Sequence, residues 1–583
     1  MINFLDIIGD WNPQLLRELR GRLKPRNVLI TVNVSLLGQL LLFLYSSSKL
    51  PSDIPNPNKY WNPIHNQYCA EPTPTNDPSL CIRYPVDPIA IDWQVFWHNL
   101  FMALCWISIF TLLVLGTFLI ISDLSREERR GTLNFLRLSP LSELKIMSGK
   151  LLGVPILLYL AVILAVPLHL WAGLSAEIPL LRIFLFYLVV ASSCIFFYSG
   201  ALLLGSSISN WSWLLPWLGS GIVIAFLMLT KDLIDSSPDE QLTWLRLLGP
   251  IHPMLYLFYP CQGHCCHGVC ETGFWDWINW QWYYFRVGQS MFSLVGFVLL
   301  QHGLWTYWIW QGFKRRFRNP NTTIISKGQS YLLVACFEVV IVGCSVFERW
   351  FLGSGRPNRH IHCLAVVNSI MLFVLMVTLS PSRQTLLDWV HSRRERASHP
   401  QGFRKNTLVS DLIWGEKSPA IVAMAINIAI AVSPLIIGSL LGILEAFEKT
   451  EMLFLGAFFV SLMMVYATII QLILMMKTSR PSLWVIGTIV ALVLLLPKTL
   501  AILGMHHLQY IILWLFSTFP SKIISYVVYR EMDTMRMNTM FLALFGQLTI
   551  VTLLNLQLRR QLKLASESAS KAILKRYPSF PTN

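Results

Sequence analysis

The chain has 583 residues, of which 54% are hydrophobic and 13% are charged, and its mean hydropathy is +0.54. This composition excludes a soluble globular protein and is typical of a membrane protein that crosses the bilayer several times. The formal net charge of +15 is also typical of a nucleic-acid-binding protein, so the distribution of the basic residues decides between these two classes.

The segment before the first apolar run predicts an amphipathic helix at the cytosolic surface of the membrane. Pro13 suits the first turn of a helix and Pro25 ends it, because proline is not tolerated in a helix interior. Leucines recur along one face, and Arg17, Glu18 and Arg20 are among the polar residues of the helix. Such a helix lies in the membrane interface rather than across it. Because this charged segment precedes the first apolar run, we expect no signal peptide.

Twelve apolar runs follow, and most are as long as the roughly 20 residues that a helix needs to cross a bilayer. The runs are Val28–Ser46, Trp93–Ile121, Leu151–Leu170, Leu180–Leu204, Trp213–Leu229, Val287–Trp310, Ser330–Phe351, His362–Leu379, Ala420–Leu444, Met452–Met476, Leu483–Leu503 and Asn538–Leu558. In each half, a charged inner segment separates the second and third runs, and a short apolar stretch precedes the sixth. The sequence therefore predicts an all-α polytopic membrane protein of about 12 transmembrane helices, in two six-span halves with short re-entrant outer-leaflet helices.

This topology divides the chain into five parts. They are the cytosolic interface helix 1–26, the first half 27–312 with exoplasmic loops 47–92 and 230–284, the basic cytosolic linker 313–328, the second half 329–558 and the basic cytosolic tail 559–583. About two thirds of the 46 Lys and Arg residues fall in the predicted cytosolic parts, as the positive-inside rule requires. We therefore expect no nucleic-acid partner, a lipid bilayer around the spans, both termini in the cytosol, and the inner (cell) membrane of a bacterium.

The segment 122–153, between the second and third spans, is the longest patterned charged stretch of the first half. Residues 126–138 predict a single helix, with Phe135 and the leucines on its apolar side. Pro140 stops this helix, and Ser142 is expected to cap a second helix that continues into the next span. The expected product is a helix, a sharp turn and a second helix at the water face of the membrane.

Three elements of this segment occur in an order that is typical of one transporter class. They are Glu128-Arg129-Arg130-Gly131-Thr132-Leu133, Leu138-Ser139-Pro140-Leu141 and Gly149-Lys150-Leu151-Leu152. The segment resembles the coupling region of ABC transporter permeases of the type-2 exporter class, and the N-terminal helix resembles the interface helix of the same family. The resemblance implies that the following residues couple the chain to an ATPase: Arg126, Glu127, Glu128, Arg129, Arg130, Gly131, Thr132, Leu133, Ser139, Pro140, Leu141, Gly149 and Lys150.

The resemblance implies the membrane subunit of an ATP-driven exporter that works with a separate ATP-binding cassette subunit, as a homodimer or as a pseudo-dimer of its two halves. No G-x-x-x-x-G-K-[S/T] phosphate-binding loop occurs in the sequence, so we expect no ATPase activity and no cofactor in this chain. The second half departs from the family pattern, because its inner segment, Pro381–Lys417, has no Gly-Thr-Leu element. Whether this half docks an ATPase stays open.

The cysteines form a second pattern, in the predicted exoplasmic loops. Four of them lie within ten residues, at Cys261, Cys265, Cys266 and Cys270. Their spacing differs from that of a zinc knuckle, and an oxidising outer side favours disulfides, while zinc binding and free thiols stay open as alternatives. We expect a disulfide between Cys69 and Cys81.

Charged residues within predicted spans are few, and Glu338 is the one that lies well inside a span. It would be essential in a twelve-span secondary carrier, which is the first alternative to the exporter. A non-transporting membrane scaffold or assembly factor is the second. The sequence has no paired carboxylates, no Ser/His/Asp arrangement and no H-E-x-x-H motif at a predicted membrane boundary, so we expect no enzyme.

Overall fold

The computed structural model describes most of the chain, and nearly all of the described residues are helical. The described residues are 2–51, 64–65, 68, 80–81, 91–207, 213–235, 243–258, 280–320, 322–345, 357–398, 408–441, 449–478, 481–495, 499, 502 and 534–576. They belong to two compact units. Unit 1 comprises Met1–Gln281 and Phe285–Arg318, and unit 2 comprises Trp282–Tyr284 and Asn319–Asn583.

Unit 1 is built around the long helix Leu180–Ser207 (α9), which packs against Gly116–Arg129 (α5) and against Met291–Arg318 (α13). Its helices are α1 (Ile2–Trp11), α2 (Pro13–Arg22), α3 (Pro25–Ser47), α4 (Trp93–Phe110), α5 (Gly116–Arg129), α6 (Thr132–Leu138), α7 (Glu143–Gly153), α8 (Ile156–Ser175), α9 (Leu180–Ser207), α10 (Leu215–Asp235), α11 (Thr243–Leu247), α12 (Ile251–Phe258) and α13 (Met291–Arg318). Two short antiparallel strands, β1 (Ile64–His65) and β2 (Leu80–Cys81), lie in the predicted exoplasmic loop 47–92.

Unit 2 is built around helix Lys449–Leu474 (α19), which packs against three neighbours, Pro357–Leu379 (α15), Ile421–Leu440 (α18) and Thr534–Arg576 (α21). The helices of this unit are α14 (Lys327–Ser345), α15 (Pro357–Leu379), α16 (Arg383–Ser398), α17 (Leu408–Trp414), α18 (Ile421–Leu440), α19 (Lys449–Leu474), α20 (Pro481–Val490) and α21 (Thr534–Arg576). Helix α14 packs against both α15 and α18, which places its inner face among apolar helices.

Within the described residues, nine helices are long and apolar enough to cross a membrane. A tenth is added if the pair Leu364–Leu379 and Arg383–Arg393, bent by 62°, is one broken span. Two further predicted spans correspond to shorter apolar helices, Leu215–Lys231 and Leu483–Val493. The chain is therefore a multi-pass helical membrane protein, while the count of 12 and the re-entrant helices stay predictions.

The longest of these nine helices, Trp93–Arg129, contains a π-helical turn at Thr111–Leu115. The hydroxyl of Tyr198, on α9, donates a hydrogen bond of 2.6 Å to the carbonyl of Leu112 within this turn. Tyr198 can approach so closely because residue 116 is glycine, where an added Cβ would lie 2.1 Å from the hydroxyl oxygen. The π turn therefore connects α4 to α5 as one continuous helix, and Tyr198 packs against this turn in the space left by Gly116.

Candidate functional site

Helix α2 begins at Pro13, as the sequence predicts, and Asn12 is its N-terminal cap. The Asn12 Oδ1 accepts a hydrogen bond of 3.1 Å from the backbone N–H of Leu15, which would otherwise have no partner in the first turn. The Nδ2 of the same side chain donates to the carbonyl of Lys145 at 2.8 Å and to the hydroxyl of Ser148 at 3.0 Å. One asparagine thus starts α2 and attaches it to α7.

Two glycines of α7 allow α2 to lie directly on its backbone. A Cβ at Gly149 would lie 2.9 Å from the backbone nitrogen of Leu15, and a Cβ at Gly153 would lie 2.5 Å from the Cβ of Glu18. Residues four apart share a face of a helix, so the two glycines form a shallow groove. The residues predicted from the sequence include Gly149 but not Gly153, although the G-x-x-x-G spacing of the two indicates a close helix contact.

Between these glycines, the side chain of Lys150 is buried among three carboxylates. Lys150 is 2% exposed. Its Nζ lies 2.7 Å from Glu18 on α2, 2.6 Å from Asp123 on α5 and 2.7 Å from Glu127 on α5. The three carboxylates converge within 4.8 Å, a grouping that could hold a metal ion. The ammonium of Lys150 already supplies the positive charge there.

Two arginines complete the group on its outer side. Arg22 pairs with Glu18 at 3.2 Å and with Asp123 at 2.6 Å, and Arg17 pairs with Glu127 at 3.0 Å. We call the six residues Arg17, Glu18, Arg22, Asp123, Glu127 and Lys150 the Lys150 cluster. Its three acids and three bases are balanced, and it ties α2 to α5 and α7.

The charge of Lys150 depends on its carboxylate partners. Burial alone would lower the pKa of Lys150, but the attraction of Asp123, Glu18 and Glu127 outweighs burial and raises the pKa above its ordinary value. The lysine is therefore fully charged at neutral pH. Glu127 and Lys150, both expected to couple the chain to an ATPase, are buried side chains that a partner protein does not reach in this arrangement.

The prediction of one helix over residues 126–138 is wrong. Helix α5 ends at Arg129, and Gly131 has a φ of +73°, in the left-handed region. An L-amino acid with a Cβ is strained there, whereas glycine is not, so the chain turns at this residue and restarts as α6. The hydroxyl of Thr132 donates to the carbonyl of Glu127 at 3.2 Å and helps to close the turn.

Helix α6 divides its apolar residues between two faces, which corrects the predicted single apolar side. Leu133 and Leu136 are buried, at 1% and 4% exposure. Phe135 and Leu138 are 75% and 87% exposed. Three arginines that lie in or just after the last turn of α5 are exposed as well. We call the exposed residues Arg126, Arg129, Arg130, Phe135 and Leu138 the α6 surface.

The turn after α6 and the start of α7 follow the sequence prediction. The hydroxyl of Ser139 donates to the carbonyl of Leu136 at 2.9 Å, and Pro140 lies in the turn. Ser142 caps α7, its hydroxyl oxygen accepting from the N–H of Lys145 at 3.4 Å. Glu143, in the first turn of α7, pairs with Arg318 at the end of α13 at 2.7 Å.

In unit 2, a second buried lysine joins the start of a span to a short helix. The Nζ of Lys327, on α14, donates to the carbonyl of Leu412 at 2.8 Å, to the hydroxyl of Ser418 at 2.6 Å and to the carbonyl of Pro419 at 3.0 Å. All three acceptors are neutral. This arrangement joins the predicted linker 313–328 to the end of the predicted inner segment of the second half and the residues just after it, and it was not predicted from the sequence.

The remaining predicted site residues are Arg20 and the cysteines of the predicted exoplasmic loops. Arg20 is exposed on α2 and does not belong to the Lys150 cluster. Cys81 lies in β2, whereas Cys69 and the four clustered cysteines, Cys261, Cys265, Cys266 and Cys270, fall outside the described residues. The predicted disulfide and the choice between disulfide, zinc and free thiol therefore stay predictions.

Comparisons of the chain with protein-family models, with curated proteins and with solved structures found no match. A proposal about function therefore rests on the residues of this chain. The two main features of the described residues are the exposed α6 surface and the buried Lys150 cluster, and both include residues of α5.

Proposed function

We propose that the chain is the membrane subunit of an ATP-driven exporter, and that the α6 surface is where a separate ATP-binding subunit docks. One observation carries this proposal: a seven-residue helix between two turns exposes Phe135 and Leu138 beside three arginines. Large apolar side chains that are this exposed, next to basic residues, are typical of a surface that binds another protein. The resemblance of the surrounding sequence to type-2 exporter permeases supports the same choice.

The Lys150 cluster gives this docking surface a rigid base. A push on α6 would act on the helices at its two ends, α5 and α7. Helix α5 is the end of one span, and α7 leads into the next, α8. Because Lys150 holds Glu18, Asp123 and Glu127 together, α2, α5 and α7 would move as one body rather than separately. In this proposal, ATP binds to the partner subunit and the buried ion pairs transmit its movement.

The test is a double substitution on the α6 surface, Phe135→Ser with Leu138→Ser. Both side chains are exposed, so the variant is expected to fold normally while losing apolar contact area with the partner. The chain would be purified in mild detergent with any attached proteins, and ATP hydrolysis and mass spectrometry would be recorded. We expect an ATP-binding subunit with the wild-type chain and its loss from the variant.

Leu23→Ser, at an exposed leucine outside the α6 surface, is the matched control and should retain the subunit. A wild-type chain that purifies alone, without ATP hydrolysis, would overturn the proposal in favour of a secondary carrier or a scaffold. Retention of the ATPase by the double variant would show that docking occurs at another surface.

A further inference from the structure

Glu338 is a buried acid without a cationic partner among the described residues, in one of the long apolar helices of unit 2. It lies on α14 and is 4% exposed. No described polar atom makes a hydrogen bond of good geometry to either carboxylate oxygen, although the amide of Asn368 is near enough to interact with it. Asn368, on the neighbouring helix α15, is the polar side chain that faces it, and its Oδ1 is also buried without a partner. Two polar side chains therefore meet between two membrane helices, and both have oxygen atoms that can bind a ligand.

The lysine on the same helix does not neutralise Glu338. Lys327 precedes it by three turns of α14, which separates them by about 16 Å at 1.5 Å per residue. The ammonium of Lys327 is bound by Leu412, Ser418 and Pro419 instead. An ionised carboxylate with no counter-charge is costly in an apolar interior, so Glu338 carries a proton in this arrangement.

Among the described residues, few other titratable groups lie near Glu338. Tyr283, in the segment 282–284, is close enough to interact with both Glu338 and Cys344. Its hydroxyl donates to the carbonyl of Val339 at 3.0 Å. Helix α18 has no titratable residue, and those of α15 are Arg359, His360, His362 and Cys363 near its start. On α14 the others are Lys327, Tyr331 and Cys336.

We propose that Glu338 and Asn368 form a site that exchanges the proton of Glu338 for a monovalent cation. The carboxylate would supply the negative charge and an oxygen ligand, and the Asn368 amide oxygen would supply a second ligand. The proton leaves as the cation arrives, so the net charge of the site stays zero. The chemistry fits an inorganic cation such as Na⁺ or K⁺ and equally the ammonium group of an organic molecule. This inference is independent of whether an ATP-binding subunit docks on unit 1.

The test uses dicyclohexylcarbodiimide, which adds to a protonated carboxyl group in an apolar environment and leaves a mass label. The full chain in detergent would be treated over a range of pH, and labelled peptides would be quantified by mass spectrometry. We expect label on Glu338 that decreases as pH rises, and none in Glu338→Gln. Glu18 is the matched control, because it is buried but ion-paired with Lys150 and Arg22 and should stay unlabelled.

Protection by cations identifies the ligand. Slower labelling with Na⁺ or K⁺ at constant ionic strength would indicate an inorganic cation, and slower labelling with methylammonium alone would indicate an organic one. Asn368→Leu should keep the label but lose the protection, since Asn368 positions the cation without carrying the proton. Absence of label on Glu338 at every pH, or a label that no cation reduces, would overturn the proposal.

Glu338→Gln should leave the melting temperature unchanged, because it replaces one neutral group by another. A large drop would assign Glu338 a structural role instead.

Discussion

Lys150 and Lys327 are both 2% exposed, yet they are held in opposite ways. Lys150 lies among three carboxylates at 2.6–2.7 Å, whereas Lys327 donates to two carbonyls and one hydroxyl at 2.6–3.0 Å. Both lysines have hydrogen-bond acceptors, but only Lys150 is in direct contact with carboxylates, whereas the carboxylate that attracts Lys327, Asp411, is paired with Arg393 instead. The difference shows that satisfying the hydrogen bonds of a buried ammonium and neutralising its charge are separate requirements. A buried lysine that meets both requirements holds the neighbouring helices together more strongly.

The largest effect is expected from Lys150→Met, which removes the positive charge at the centre of the cluster. Glu18, Asp123 and Glu127 would then be left close together with only Arg17 and Arg22 to balance them. Breaking a buried ion pair in this way costs about 3–5 kcal/mol. We expect a clearly lower melting temperature of the detergent-purified chain. Lys145→Met, at an exposed position of α7, is the control and should change it little. Equal melting temperatures would mean that the cluster adds no stability.

A smaller loss is expected from Lys327→Met, since it removes hydrogen bonds but no ion pair. Leaving buried acceptors without a donor costs about 1–3 kcal/mol in total, and the loss of a buried charge that no carboxylate contacts directly offsets part of this. Thermal unfolding of this variant beside Lys150→Met tests the comparison directly. Lys417→Met, at an exposed lysine near the same acceptors, is the control. If Lys327→Met destabilised the chain more than Lys150→Met, countercharge would not be the deciding factor.

Gly153→Ala separates packing from charge, because it keeps every charged residue and changes only how closely α2 can approach α7. The new Cβ would collide with the Cβ of Glu18, which cannot rotate away, so α2 has to shift. Overpacking of this kind costs about 1–3 kcal/mol. We expect lower thermal stability and faster proteolysis of α2. Gly21→Ala, at a glycine with open space around it, should be neutral or stabilising. Full stability of Gly153→Ala would show that α2 is loosely attached.

The smallest effect is expected from Arg17→Ala. The side chain of Arg17 is 51% exposed, so water and salt screen its pair with Glu127. Such a pair contributes about 0.2–1 kcal/mol. Melting temperatures at low and high salt should differ less for the variant than for the wild-type chain. A loss as large as that of Lys150→Met would mean that the outer arginines are as important as the central lysine.

Local features of the candidate site could be read from the sequence. Asn12 and Pro13 mark the start of α2, and Pro140 and Ser142 mark the turn before α7, because caps and prolines act within a few residues of themselves. The break at Gly131 was missed. The amphipathic pattern continues on both sides of this residue, and only the backbone reveals its left-handed conformation.

Contacts distant in sequence could not be predicted. Glu18 and Lys150 are 132 residues apart, and nothing in either segment indicates that the charges meet. The sequence therefore suggested an exposed docking role for Lys150, whereas packing places it inside. The apolar helices themselves were predictable, since hydrophobicity over about 20 residues is enough to identify a span. The count of 12 spans depends on the shorter helices, such as Leu215–Lys231, where length alone does not decide.

The π-helical turn at Thr111–Leu115 also determines where the charged end of α5 points. A π turn holds one more residue than an α turn, so it rotates everything after it by about 100° about the helix axis. Deleting a single residue there would leave the span equally apolar. It would, however, rotate the side chains of Asp123 and Glu127 about the helix axis and away from Lys150. The direction in which the side chains of Asp123 and Glu127 point thus depends on the π turn about three turns earlier in their helix. The hydrogen bond from the Tyr198 hydroxyl to the Leu112 carbonyl stabilises this turn.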